Sequence, residues 1–288
     1  MARQRLSGRR RAMLAVVLVA VVIVGVTVRL GTARRGVTTP LVLGEVRERF
    51  DALATTAATT SPIVPRSAGQ EPTVLLSTTT VATASQVAPL LPAPGVYVYA
   101  TTGGDSVDAL NGDRHVYPAS TTVTVVAESC GVTQRWDVAV QRWEQWTRCV
   151  QGNGIAESSR INYDEFFGRG QTDAFRCDGL SRPVDAAAGA EWTATCRQGD
   201  TVQTVRGVVV GEEDMRVGNR PVVTTHVRVT IDNGHPADAQ ITDTWFLRGS
   251  DLIVAQSARN TTTNSTFVGD VHYRENYVIT LTSLEPLS

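Results

Sequence analysis

The run HVRVTI at residues 226–231 sets Val227, Val229 and Ile231 between His226, Arg228 and Thr230. A period of two sends successive side chains to opposite faces of an extended chain, so the run reads as a half-buried strand. GVYVYA (95–100), TTVTVV (121–126) and YVITLT (277–282) repeat the alternation with β-branched or aromatic residues. Turn signals punctuate them at Gly103-Gly104, Asn111-Gly112, Asn153-Gly154, Asn233-Gly234 and Gly249. Asn-Gly between apolar alternations marks a hairpin. Beyond residue 95 no segment keeps helical periodicity for three turns, although NYDEFFG (162–168) is predicted as one helical turn anchored by Phe166 and Phe167. The expected fold is all-β, or β-rich α+β: a curved antiparallel sheet or half-barrel. GDRHVYPASTTVTV (112–125) and GNRPVVTTHVRVTI (218–231) share G-[DN]-R-x-V before a β-branched strand, with Trp136 and Trp245 following at 24 and 27 residues. The match suggests a duplicated strand-turn-strand unit.

Upstream, the chain changes character. AMLAVVLVAVVIVGVTV (12–28) carries no charge and follows five arginines, Arg3, Arg5, Arg9, Arg10 and Arg11. At about 1.5 Å per residue it reaches roughly 25 Å, enough for a short span with Arg29 at its outer edge. The basic end is expected in the cytosol, and no A-x-A cleavage site follows, so the segment is read as an uncleaved signal-anchor. The expected organisation is a basic tail at 1–11, a transmembrane helix at 12–30, a Thr/Ala/Pro-rich spacer at 31–94 and an extracytoplasmic β domain at 95–288. Within the spacer, LGEVRERFDALA (43–54) places Val46, Phe50 and Leu53 on one helical stripe, and the rest is too polar to pack. The expected location is the cell membrane, single-pass, with the C-terminal domain outside.

All 27 basic residues are arginine. Residues 1–94 carry 11 of them against 4 acids, and residues 95–288 carry 16 against 24. A net-negative domain lacks the basic surface that neutralises phosphates, so nucleic acid is excluded as a partner. The four cysteines, Cys130, Cys149, Cys177 and Cys196, all follow the anchor. They allow three connectivities, and two equal spacings of 19 residues favour 130–149 with 177–196. A four-cysteine metal site or a redox pair would call for C-x-x-C, which is absent.

Catalytic signatures are missing. None of His115, His226, His235 and His272 falls in HExxH or H-x-H spacing, and no G-x-S-x-G, P-loop or G-x-G-x-x-G occurs. DNGHPAD (232–238) and GEED (211–214) read as polar turns before they read as cation sites. His226 is expected to be a satisfied sheet residue, and His272 to face solvent or a cavity edge. NTT (260–262) and NST (264–266) fit glycan sequons, but polar loop is the preferred reading. No catalytic residue, metal or cofactor is expected. The aromatics say more: RWDVAVQRWEQWTRC (135–149) brings Trp136, Trp143 and Trp146 together with three arginines. They are candidates for a ligand platform, against a reading as core rings packed under arginine stems. Trp143 and Trp146, three apart, face opposite sides in a strand and the same side in a helical turn.

PGVYVYATTGGDSVDALNGDRHVYPASTTVTV, CGVTQRWDVAVQRWEQWTRC, DEFFG and GDVHYRENYVITLTSL, behind the arginine-flanked anchor, resemble uncharacterised membrane-anchored proteins of actinobacteria. That resemblance spans most of residues 94–284 and implies no activity. In architecture alone the chain is similar to lipoprotein-carrier half-barrels, which implies an apolar concavity for acyl chains, although the lipid-anchoring cysteine common there is absent. Three functions are distinguishable. A lipid or amphiphile carrier needs a large apolar cavity. A scaffold or accessory subunit docking an envelope protein needs an exposed apolar patch. An exported hydrolase needs convergent carboxylates or histidines of perturbed pKa. The first is the leading expectation.

Overall fold

Fourteen strands and one helix account for nearly all regular structure in a computed structural model that describes residues 38–60, 90–179, 181–266 and 269–287. The 12–28 segment and most of the spacer lie outside the described residues. The strands are β1 (Gly95–Val107), β2 (Asp113–Val116), β3 (Ser120–Ala127), β4 (Gly131–Ala139), β5 (Arg142–Gln151), β6 (Gly154–Phe166) and β7 (Arg169–Asp178). They continue with β8 (Ser181–Pro183), β9 (Glu191–Gln198), β10 (Thr201–Val217), β11 (Arg220–Asp232), β12 (Ala239–Leu247), β13 (Ile253–Thr266) and β14 (Gly269–Leu281). Every pairing is antiparallel, and order around the sheet follows the sequence except where β2 and β8 extend partners already paired elsewhere.

The fold is all-β, and its curvature is carried to closure. β14 pairs β1 from Tyr99↔Leu281 to Val107↔Tyr273, so β1, β3 to β7 and β9 to β14 form a twelve-stranded barrel. Closure removes the free edges a half-barrel would leave for stray pairing. Mid-strand arginines Arg176, Arg206, Arg228, Arg259 and Arg274 stand exposed on the outer face. A lipid-spanning barrel carries an unbroken apolar band there, which these arginines interrupt.

Several turn signals act as read: Asn153-Gly154 and Asn233-Gly234 lie at the β5–β6 and β11–β12 turns. Gly103-Gly104 instead lies inside β1, where the strand exchanges β3 for β2 along one edge. Neighbouring backbone closes in on both residues. A Cβ at Gly103 would stand 2.2 Å from the Asn276 carbonyl oxygen, and one at Gly104 equally close to that of His115. NYDEFFG makes no helical turn: β6 runs to Phe166, and Phe167 and Gly168 turn back with φ of 55° and 69°. GEED lies within β10, past the irregularity at Val209/Gly211, rather than in a turn. The two similar stretches fold differently: 112–125 breaks at Pro118 between β2 and β3, whereas 220–232 is one strand.

One end of the barrel is filled. Tyr97, Val125, Val132, Trp136, Phe246, Ile253 and Leu281 belong to a single buried cluster. Helix α1 (Leu43–Thr60) covers the outer face of β3 and β1. It buries Val46, and Arg49 donates to the fully buried Asp137 at 3.0 Å. The helix extends past the 43–54 stretch expected from its apolar spacing.

Both disulfides are formed, Cys130–Cys149 and Cys177–Cys196, as befits a domain matured in an oxidising compartment. Each closes the same 19-residue separation, so chain entropy assigns each about 3 kcal/mol. Their settings differ. Cys130–Cys149 flanks a β4–β5 ladder of eight residue pairs, while β7 meets β9 only at Arg176↔Arg197, Cys177↔Cys196 and Asp178↔Thr195. Replacing both Cys177 and Cys196 by alanine is therefore expected to raise amide exchange in 176–178 and 195–197 by far more than it rises in the remaining strands. The Cys130/Cys149 double variant should lose similar stability with its ladder still protected. Equal exchange patterns in the two variants would disprove the weak seam.

Candidate functional site

Away from the packed end the barrel is too wide for its side chains to fill, and a cavity of about 570 Å³ remains. It reaches solvent past Arg169, Gln171 and Thr201, which line it and are exposed. These residues lie at the β6–β7 and β9–β10 turns, which mark the mouth. The cavity wall mixes charged and polar groups with apolar ones such as Ile155, Phe175, Val227 and Val229 in about equal measure, so it is not the wholly apolar concavity that an acyl chain would need.

Alternation explains how those groups arrive inside. Arg142, Glu144, Trp146 and Arg148 point inward from β5, and Arg160, Asn162, Asp164 and Phe166 do so from β6. Two ionic clusters result. In the first, Asp251 of the β12–β13 turn accepts hydrogen bonds from Gln134 Nε2 (2.9 Å), Arg148 Nη1 (3.1 Å) and Arg182 Nη2 (2.6 Å). Glu157 lies 3.7 Å from Arg148 and 2.7 Å from Arg160, and the Arg182 guanidinium caps the Phe246 ring at 3.9 Å.

The second cluster is built on Arg142. Its guanidinium contacts Glu144, Glu275 (2.9 Å) and Asp164 (3.2 Å), with Asp105 at 4.0 Å. Tyr117 OH donates to Glu275 at 2.7 Å, and Asn260 Nδ2 donates to the other Glu275 oxygen, also at 2.7 Å. His115 Nδ1 lies 2.7 Å from Asp105. Burial opposes charge on His115, but the bond to Asp105 and the nearby carboxylates outweigh it and hold its pKa above the usual imidazole value. Asp164 is pushed up to about 7, first by burial. Arg142 pulls it back, and Glu275, Asp105 and Glu144 push it further. Near neutral pH this carboxyl is thus poised between donor and acceptor.

Four side-chain atoms on the cavity wall are buried with no partner: Asn162 Oδ1, Trp192 Nε1, Gln240 Nε2 and Tyr273 OH. Buried polar groups left alone cost about 1–3 kcal/mol each. Four around one cavity point to something that fills it. Trp192 holds its place because Gly207 faces it; a Cβ there would stand 2.1 Å from the indole ring carbons.

The three sequence candidates do not converge. Trp136 is fully buried in the apolar cluster, its Nε1 donating to Thr121 at 2.9 Å. Trp146 lines the cavity with Arg148 over its ring. Trp143 lies outside, stacked on Tyr163 at 5.6 Å with Arg135 at 3.8 Å over its face. His226 is held between Glu213 and Asp243 on the outer wall, both at 2.8 Å. His272 pairs with Asp108 at 2.7 Å, partly exposed. Asn260 turns its amide to Glu275 rather than to the surface.

Sequence reasoning missed Arg142, Asp164, Trp192, Gln240, Tyr273 and Glu275. The period-two spacing of Arg142, Glu144 and Arg148, and of Arg160, Asn162 and Asp164, was the available signal.

No protein-family model matches the chain, and no curated protein matches it. Among solved structures it is similar to the crystal structure of the hypothetical lipoprotein YmcC from Escherichia coli K12. The likeness covers 67% of this chain and 85% of that one at 11% identity, with a TM-score of 0.30.

Proposed function

We propose that the barrel is a non-catalytic binding protein of the cell envelope that holds a small polar ligand, or the polar part of an amphiphile, in its lumen. The observation that carries this reading is the open 570 Å³ cavity with its four unpartnered polar atoms. The uncharged 12–28 segment, the formed disulfides and the resemblance to anchored actinobacterial proteins support an extracytoplasmic position behind a membrane anchor. Charged groups on β5, β6 and β14 argue against burying an acyl chain in the lumen. The raised pKa of Asp164 favours a hydrolase as a second reading. Against it, Asp164, Glu144 and Glu275 all clasp Arg142, whereas glycoside hydrolysis sets its carboxyls on opposite sides of the scissile bond.

The test is native mass spectrometry of the full chain extracted from its own membrane without refolding. A bound small molecule, released on denaturation, is the expected outcome. A bare mass with both disulfides intact would overturn lumen binding and move the weight to docking of an envelope protein.

A further inference from the structure

Resting on lumen binding, we infer that the ligand is a neutral polyhydroxylated molecule, a saccharide unit, whose hydroxyls meet the four unpartnered atoms of the cavity wall. The first argument is charge. Four arginines line the cavity away from its mouth: Arg142, Arg148, Arg160 and Arg182. Each is engaged by one or more of four carboxylates, Glu144, Glu157, Asp251 and Glu275. Four positive groups answer four negative ones, and Asp164, which also contacts Arg142 at 3.2 Å, adds a fifth carboxyl whose raised pKa keeps it partly protonated. An anionic headgroup therefore finds no uncommitted guanidinium deep in the lumen. A cation would have to draw a carboxylate away from its arginine.

The second argument is the mixture of vacant hydrogen-bonding roles. Trp192 Nε1 and Gln240 Nε2 can only donate, Asn162 Oδ1 can only accept, and Tyr273 OH can do either. A carboxylate or phosphate ligand would satisfy the donors alone, and an ammonium the acceptors alone. A hydroxyl donates one bond and accepts two, so a polyol answers both kinds.

The third argument is placement. In barrel order, β6, which bears Asn162, stands five strands from β12, which bears Gln240. β9 with Trp192 stands five from β14 with Tyr273. In a closed circuit of twelve, five apart is nearly opposite, so the vacant atoms surround the cavity instead of sharing one wall. Phe166, Trp192 and Tyr273 add aromatic surfaces, whose negative faces suit the C–H faces of a sugar ring.

The competing occupant is water, since the cavity has room for many molecules. Calorimetric titration and thermal melting of the full detergent-solubilised chain separate the cases. The probes are D-glucose, N-acetylglucosamine and maltose, with glucuronate and palmitate as charged and apolar controls. At least one neutral saccharide is expected to bind and raise the melting temperature, with both controls at least tenfold weaker. Trp192→Phe and Gln240→Leu should each weaken that saccharide about tenfold, by leaving a ligand hydroxyl unpaired. Each removes a buried unpartnered donor, so without ligand both variants should melt as high as the parent or higher. Undiminished saccharide affinity in both variants would overturn the site. Binding of glucuronate or palmitate with no saccharide binding would overturn the ligand class and leave lumen binding standing. Failure of every probe, together with a bare native mass, would remove both.

Discussion

Arg142→Met is expected to lower unfolding stability by about 3–5 kcal/mol at pH 8, as removing one partner from a buried ion cluster does. Arg142 is 3% exposed and is the cation that Glu144, Asp164 and Glu275 share. Methionine would leave these carboxylates, with Asp105 beside them, facing one another in a poorly solvated lumen. Their escape is to take up protons, so the penalty should shrink as pH falls towards 5. Removing a negative charge as well should return part of the loss, and Arg142→Met/Glu275→Gln should be more stable than the single variant at pH 8. Urea denaturation of the three proteins at both pH values decides the matter. A single-variant loss below about 1 kcal/mol at pH 8 would mean that lumen water screens the cluster as it screens surface pairs. The local effect should spread, because Arg142 lies opposite Asp164 in the β5–β6 register and bonds to Glu275 on β14.

Strand-forming character was legible from local pattern, because YVITLT, HVRVTI and TTVTVV decide it within six residues. The Asn-Gly hairpins were legible for the same reason. Closure was not: the β1–β14 ladder joins Tyr99 to Leu281, and nothing in GVYVYA states which distant strand it will meet. Closure also reversed the meaning of polarity. In β6, Arg160, Asn162 and Asp164 alternate with Ile161, Tyr163 and Glu165, and in an open sheet the polar set is assigned to solvent. Here it lines the lumen, while Tyr163 stacks on Trp143 outside. The tryptophans diverge because ring size marks burial without saying on which side, so Trp136, Trp143 and Trp146 fall in three environments, of which only that of Trp146 is the cavity wall. Gly103-Gly104 carried a true signal with the wrong assignment, since glycine permits close backbone approach within a strand as readily as a turn between strands.

Stability is expected to fall as pH rises from about 5 to 8, and Asp164→Asn is expected to flatten much of that slope. In the unfolded chain Asp164 titrates near 3.8, and in the fold its pKa is about 7. Between those values the folded protein holds a proton that the unfolded chain has released. The associated stability is therefore full below about pH 4 and lost as pH climbs through 7. At about 1.4 kcal/mol per pKa unit the swing is roughly 4 kcal/mol. His115, also raised, bends the profile the same way and leaves a residual slope in the variant. Asp243 acts oppositely: although burial resists it, Arg228 and His226 hold its pKa below the ordinary value, so its contribution is lost only as pH falls below about 4. The window from 5 to 8 is thus left to Asp164 and His115 among the groups with shifted values. Asparagine keeps the shape and carries no charge, so the variant should be more stable than the parent by roughly 4 kcal/mol at pH 8 and by less than half of that at pH 5. Guanidinium unfolding across that range measures both. Parallel profiles would mean that Asp164 is already ionised in the fold at pH 5, its charge met by Arg142. The lumen would then carry a net negative charge throughout this range, and a neutral ligand would lose its electrostatic rationale.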